Sequence, residues 1–449
     1  MRQTYSYKEK VKQFMIVLLP IFITQITLMS TGFFDTVMAG NVSEYDLAGV
    51  AIAVNIFMPV FGSILGVLSG LTPTISQLYG ANKKEELPFI IVQGIYLAIV
   101  IAICLIILGF IVIDPLLNVM NLEAKVKIVA KGFLLACAFG ISPILIAAVF
   151  RNFVDALGYT RVTMVVTVCA VPINICMNYL FIFGKMGFPA LGGIGAGVGT
   201  AITYWFVLFI NLLVIKHVKP FSQYDIFRFF GKPDFAAWRQ LLSIGIPIGF
   251  AMFCEQSIFG AVALFMAAYG TTVIAAHQAA MNFSTMVYMI PLSISMALTI
   301  MVGYEVGAKR YKDAKKYSYL GVALSILFSG SLTLILANFK GEIAALYTKD
   351  EAVYQMIQIF LLYVIVLQFS DAISAPLQGA LRGYKDVKIT LILAVISYWI
   401  IGLPVGYAFA NYLGVGPYGY WVGLIAGIVA GAVALIIRLV KVQRKQLAK

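Results

Sequence analysis

Three carboxylates, Asp35, Glu255 and Asp371, stand inside long apolar runs (ITLMSTGFFDTVMAG, PIGFAMFCEQSIFGAVALF and YVIVLQFSDAISAPLQGA). A carboxylate taken out of water without a cationic partner either takes up a proton or binds a cation. That is the chemistry of ion movement, with no covalent bond made or broken. Asn174 and Asn178 are four residues apart, so on a helix they share one face. Amide oxygens suit a hard cation such as sodium, and asparagines in apolar helices also serve as contacts between helices. Pro172 loosens the backbone just before them. Covalent chemistry has no comparable foothold. There is no HExxH motif and no Walker A loop. The five cysteines (Cys104, Cys137, Cys169, Cys176, Cys254) lie in apolar runs without a CxxC pair, so neither a zinc site nor a disulfide framework is indicated. His277 reads first as a polar contact between helices. Neither enzymatic activity nor a bound cofactor is expected.

The elements that must position these residues follow from composition. Of 449 residues, 61% are apolar and 11% charged, against about 45–50% and about 25% in soluble globular chains. Mean hydropathy is +0.96. A spanning helix needs about 20 mostly apolar residues. Twelve such stretches can be marked, at 14–38, 47–77, 88–113, 127–150, 162–183, 191–215, 240–268, 274–303, 318–337, 353–379, 388–411 and 417–440. The first runs too far past Phe14 for a removed signal peptide. The expectation is an all-α polytopic protein of the cell membrane.

Of the 32 Lys and Arg residues, 26 fall on the side that holds both termini and the 216–239 loop, and 6 on the other. The positive-inside rule places that side in the cytoplasm. Every basic residue falls in a loop or at a span end, leaving none mid-membrane. The formal charge of +13 is then a signal of topology and of contact with the lipid bilayer, not of nucleic-acid binding. At 1.5 Å per residue, Glu255 lies about 24 Å along its helix from Arg239, and Asp371 about 17 Å from Arg382. Both are placed near mid-membrane. Asp35, about 34 Å from Lys12, falls in the outer part of the first helix.

The chain also repeats itself. At an offset of 227, Pro20 meets Pro247, Asn55 meets Asn282, and Gly80-Ala81 meets Gly307-Ala308. At 225, Gly158-Tyr159 meets Gly383-Tyr384, and at 224, Gly195 and Gly199 meet Gly419 and Gly423. Two six-helix bundles, residues 1–219 and 240–449, are therefore expected to be pseudo-symmetric about a central cavity, joined by a cytoplasmic linker at 220–239. Parallel repeats of this kind can rock to face either side of a membrane. None of the three acids has an acidic mate in the other half, so they differentiate the halves. Tyr363, Phe369, Tyr398 and Trp399 are candidates to line the cavity, where aromatic faces favour organic cations.

The stretch GFFDTVMAGNVSEYDLAGVA (32–51), together with SQLYGANKKEEL, AAHQAAMNF and QGALRGYKDVKIT, resembles the MATE family of multidrug and toxic compound extrusion transporters along almost the whole chain. Asp35, Asn174, Asn178, Glu255 and Asp371 correspond to acids and amides of its NorM-type branch. The resemblance implies a monomer that exports cationic, amphipathic drugs or dyes as sodium ions or protons enter. Glu255 and Asp371 would form a cation site, with sodium as one occupant, and Asp35 and the asparagines would act in the N-terminal half. The alternative is a flippase for lipid-linked precursors of the same superfamily. Such a protein should line its cavity with basic residues for an anionic headgroup. A membrane enzyme lacks its motifs here, and a major facilitator lacks its Gly-Asp-Arg loop pattern after span 2.

Overall fold

The structure, a computed structural model, describes residues 1–448. Twelve helices are long and apolar enough to cross a membrane: α1 (Tyr7–Gly40), α2 (Glu44–Gly80), α3 (Lys84–Val119), α4 (Ala124–Ala156), α5 (Thr160–Phe183), α6 (Gly193–His217), α7 (Phe235–Ala267), α8 (Thr271–Gly307), α9 (Tyr311–Tyr347), α10 (Glu351–Gly383), α11 (Val387–Asn411) and α12 (Tyr418–Leu447). Each expected stretch falls on one of them. Most helices outrun the apolar stretch that marks them, because backbone hydrogen bonding does not stop where the hydrocarbon does. Three elements are irregular, one of them α9, which kinks at Phe339 (φ -111°, ψ 18°). α2 breaks at Ser69-Gly70, where an added Cβ on Gly70 would sit 2.8 Å from Gly245 of α7. α11 carries a π-helical segment at Ile396–Gly402, a distortion that helices favour at functional positions.

The longer helices correct the placement of two cations. Arg382, expected in a loop, lies in the last turn of α10 and is only 8% exposed. Lys10, expected before the first span, is helical and 1% exposed. Both stand at span ends, as the sequence places every basic residue, but they are buried against neighbouring helices and not out in a loop.

By packing, the chain forms two compact units, Leu19–Gly249 and Met1–Leu18 with Phe250–Lys449. These boundaries cut through α1 and α7 near Pro20 and Pro247, where the sequence division runs through the linker instead. The first unit is built around Leu68, Ile91, Phe150 and Phe153. The second centres on Phe360, Val364, Trp421 and Ile428.

The repeat is visible in the backbone. Asn82 and Lys309, 227 apart, both adopt φ 58° after the end of a helix. The next amide closes the turn in both copies, Lys83 N to Leu78 O (3.0 Å) and Arg310 N to Glu305 O (2.9 Å). The turns after α4 and α10 match in the same way, but at Gly158 (φ 88°) and Lys385 (φ 60°). Their offset is again 227, which corrects the pairing of Gly158 with Gly383. A shared Gly-Tyr pair had drawn the sequence two residues out of register.

Several polar groups at helix ends are buried and paired. Glu305 accepts from Arg310 Nε at 2.5 Å, and Asp155 lies 3.6 Å from Arg151. Lys10 is the most deeply held cation. Its ammonium lies 3.0 Å from Asp313 Oδ1 and donates to Thr4 O (3.1 Å) and Thr4 Oγ1 (2.8 Å). Lys10→Met strands Asp313, which keeps only Lys316 at 3.8 Å. We expect a loss of about 2 kcal/mol, below the usual cost of breaking a fully buried pair because Asp313 remains partly wet. Thermal unfolding in detergent checks this: the single variant melts lower than wild type, and Lys10→Met with Asp313→Asn recovers part of the loss.

Candidate functional site

The Leu19–Gly249 unit brings Asp35, Asn174 and Asn178 together. α1 supplies Asp35, 8% exposed, and α5 supplies the two amides, both 1% exposed or less. Asn178 Nδ2 donates to Asp35 Oδ1 (2.5 Å) and to Asn174 Oδ1 (3.2 Å). Thr200 Oγ1 of α6 donates to Asp35 Oδ2 at 3.3 Å. Asn178 Oδ1 and Asn174 Nδ2 are buried without a protein partner. The cluster therefore offers carboxylate, amide and hydroxyl oxygens with capacity to spare, and no cation faces Asp35 in this hydrogen-bonded set.

Close packing of α6 on α5 makes this possible. A Cβ on Gly195 would overlap the Phe181 carbonyl, and one on Gly199 would overlap Asn178 Oδ1. Gly195 and Gly199 are thus the small-residue pair that lets two helices touch in a membrane. Their repeat mates Gly419 and Gly423 do the same for α12 against Ala410, Gly402 and Gly406 of α11. Thr200, not singled out from the sequence, follows directly on this glycine pair. That spacing was the available signal for it.

The other unit holds Glu255 and Asp371. Glu255, on α7, accepts from the Tyr288 hydroxyl of α8 at 3.1 Å. Tyr398, from the π-helical segment of α11, is 4% exposed and also hydrogen-bonds to Glu255. Asp371, on α10, is 6% exposed and lies within electrostatic range of Glu255. Arg382 also feels the charge of Glu255 and is held by Gln378 Oε1 at 3.5 Å. Glu255 accordingly has a cation within electrostatic range, whereas the charge that acts on Asp371 is the carboxylate of Glu255. Among the described residues no group of three or more His, Cys, Asp or Glu side chains gathers as a metal cluster.

The aromatic candidates separate. Trp399 Nε1 donates to the Cys254 carbonyl at 3.2 Å, beside Glu255. Tyr363 stacks on Tyr418 at 5.9 Å, in a cluster with Phe360 and Trp421. Phe369 is 47% exposed and, two residues before Asp371, projects about 200° away from it around α10. His277 is 1% exposed and accepts from Trp421 Nε1 through Nδ1 at 3.1 Å, the interhelical contact expected of it.

A family model described as MatE matches residues 20–180 and again 247–408, two copies that start 227 residues apart. The chain belongs to the MatE family. One relative of this MatE chain, from Bacillus licheniformis, is named a probable multidrug resistance protein NorM; it is 50% identical over 445 residues, covering 99% of this chain and 98% of the relative. Among solved structures, the fold resembles an outward-facing multidrug resistance MATE family transporter of the MOP superfamily (TM-score 0.88, 17% identity, covering 99% of this chain and all of that one). It also resembles the Vibrio cholerae MATE transporter VcmN in its bent form (TM-score 0.85, 18% identity, 98% of both chains). At such identities the solved structures speak for the MatE fold alone. The full-length relative speaks for the family.

Proposed function

We propose that this MatE protein is a secondary active multidrug exporter. It moves organic, mostly cationic amphipathic compounds out of the cell in exchange for sodium ions or protons. In this reading it is a monomer in the cell membrane with both termini in the cytoplasm, where 26 of its 32 basic residues would face. Coupling requires that ion and substrate prefer different states of the protein, since a ligand shifts an equilibrium only by its differential affinity. Asp35 with Asn174, Asn178 and Thr200 is one place for that competition, and Glu255 with Asp371 is the other. The observation that carries this reading is Asp35. It is a buried carboxylate inside a spanning helix, hydrogen-bonded to neutral donors, with unpartnered amide atoms beside it.

A lipid-linked precursor flippase is not favoured. An anionic headgroup calls for free cations in the cavity. Arg382, the buried cation of α10, is held by Gln378 Oε1 at 3.5 Å and lies within electrostatic range of Glu255.

The test is efflux of a fluorescent organic cation from proteoliposomes, with sodium and proton gradients imposed separately. Gradient-driven dye movement under at least one is expected. No movement under either, from protein that remains monodisperse, overturns the reading.

A further inference from the structure

The connection between α6 and α7 lies outside both family matches, and it is not a loose tether. Its inner side is fixed to the Leu19–Gly249 unit. Phe221 and Ile226 are each 1% exposed, with the Phe221 ring 6.1 Å from that of Phe153. Gln93 of α3, itself 1% exposed, grips the backbone. Its amide nitrogen donates to Lys232 O (3.1 Å), and its amide oxygen accepts from Asp234 N (2.8 Å) and Trp238 Nε1 (3.0 Å). The Tyr96 hydroxyl donates to Gly231 O at 2.8 Å.

The outer side is what a connection between helices does not need. Phe229 and Phe230 are each 51% exposed and Phe235 is 75% exposed. Lys219, Arg228 and Lys232 are exposed among them. The two acids nearby are already engaged. Asp234 caps α7 by accepting from Ala236 N (2.8 Å) and Ala237 N (3.2 Å), and Asp225 lies 3.4 Å from Arg228. Exposed aromatic surface of this extent, rimmed by charge, marks an interaction site.

Its depth says with what. The α-helical part of α3 has 33 residues from Leu87, so it is about 50 Å long against a hydrocarbon core of about 30 Å, leaving about 10 Å in the headgroups at each end. Gln93 and Tyr96 lie about 9 and 14 Å along it. The linker they hold therefore runs where headgroups meet hydrocarbon. Aromatic rings prefer that zone, and basic side chains there attract anionic lipid.

We propose that residues 219–235 form a rigid interfacial mooring that binds anionic phospholipid, through the phenylalanine rings and through Lys219, Arg228 and Lys232. The assignment does not depend on what the protein transports.

It is tested on full-length protein carrying Phe229→Trp or Phe235→Trp, with the wild-type fluorescence of the four native tryptophans subtracted. The vesicles hold phosphatidylcholine and phosphatidylglycerol at one fixed ratio, with bromine on the acyl chains of one lipid or the other. Bromine should quench the new tryptophan, and brominated phosphatidylglycerol should quench at least about twofold better than equal mole fractions of brominated phosphatidylcholine. Changing Lys219, Arg228 and Lys232 together to Gln should bring the two to parity. Equal quenching by both lipids in the otherwise unaltered protein overturns the anionic assignment. Quenching by aqueous iodide with none by bromine overturns the mooring, and leaves the surface to a soluble protein partner.

Discussion

Asp371→Asn and Glu255→Gln each abolish gradient-driven dye efflux by the reconstituted protein, to at least about a hundredfold below wild type. The reasoning is electrostatic. Both substitutions keep side-chain volume and one accepting oxygen, and Tyr288 can donate to a Gln carbonyl as it does to Glu255 Oε1. What each removes is the ability to gain and lose a unit of positive charge, as a proton or a cation. Without that, the driving ion has no differential hold on the two states. The variants should differ in stability. Glu255→Gln removes the carboxylate whose charge reaches Arg382, itself only 8% exposed, and an uncompensated buried charge is costly. Asp371→Asn strands no cation. We therefore expect Glu255→Gln to melt below Asp371→Asn in detergent, with both still folded. Full efflux by either variant under an imposed sodium or proton gradient removes that acid from coupling.

Why Arg382 escaped the sequence reading is instructive. An apolar window ends where charges and small polar residues begin, so the segment after Pro376 (LQGALRG) looked like the start of a loop. The helix continues because its hydrogen bonds need no lipid, and Arg382 stays inside with its guanidinium on Gln378 and within electrostatic range of Glu255. The same physics hid Lys10, whose charge is met by Asp313 more than 300 residues away. Such pairings carry no local signature. By contrast, the twelve helices were legible because hydrocarbon demands a long uninterrupted apolar run, and the repeat because its turns need particular residues. Even there, the Gly-Tyr coincidence after α4 and α10 shifted the register until backbone angles restored it. At the site, the Asn174 and Asn178 pair was readable from i, i+4 spacing alone. Their meeting with Asp35 was not, since it depends on three helices converging. The π-helical segment that presents Tyr398 to Glu255 left no mark in an apolar stretch.

That convergence around Asp35 supports the second large effect. Asp35→Asn should reduce dye export to background, and Asn178→Ala should leave a measurable fraction, about a tenth to about a hundredth of wild type. The two differ in what they delete. Asp35 supplies the only charge in its hydrogen-bonded cluster with Asn174, Asn178 and Thr200. An asparagine in its place still accepts from Thr200 and can meet Asn178, so α1, α5 and α6 remain packed while proton or cation binding is lost. Asn178→Ala removes one donor to a charged acceptor, a loss on the order of 1.5–3 kcal/mol, and leaves the carboxylate in place. The substitution that fails for a different reason is Gly199→Ala. Its methyl group overlaps Asn178 Oδ1 and crowds Asn178 N at 3.0 Å, so it should push α6 off α5 and lower thermal stability as well as export. An Asp35→Asn protein that exports dye at the wild-type rate under the same gradient would show that this carboxylate only ties α1 to α5 and α6. Coupling would then rest on Glu255 and Asp371 alone, and the asymmetry between the halves would lie in which half binds the ion at all.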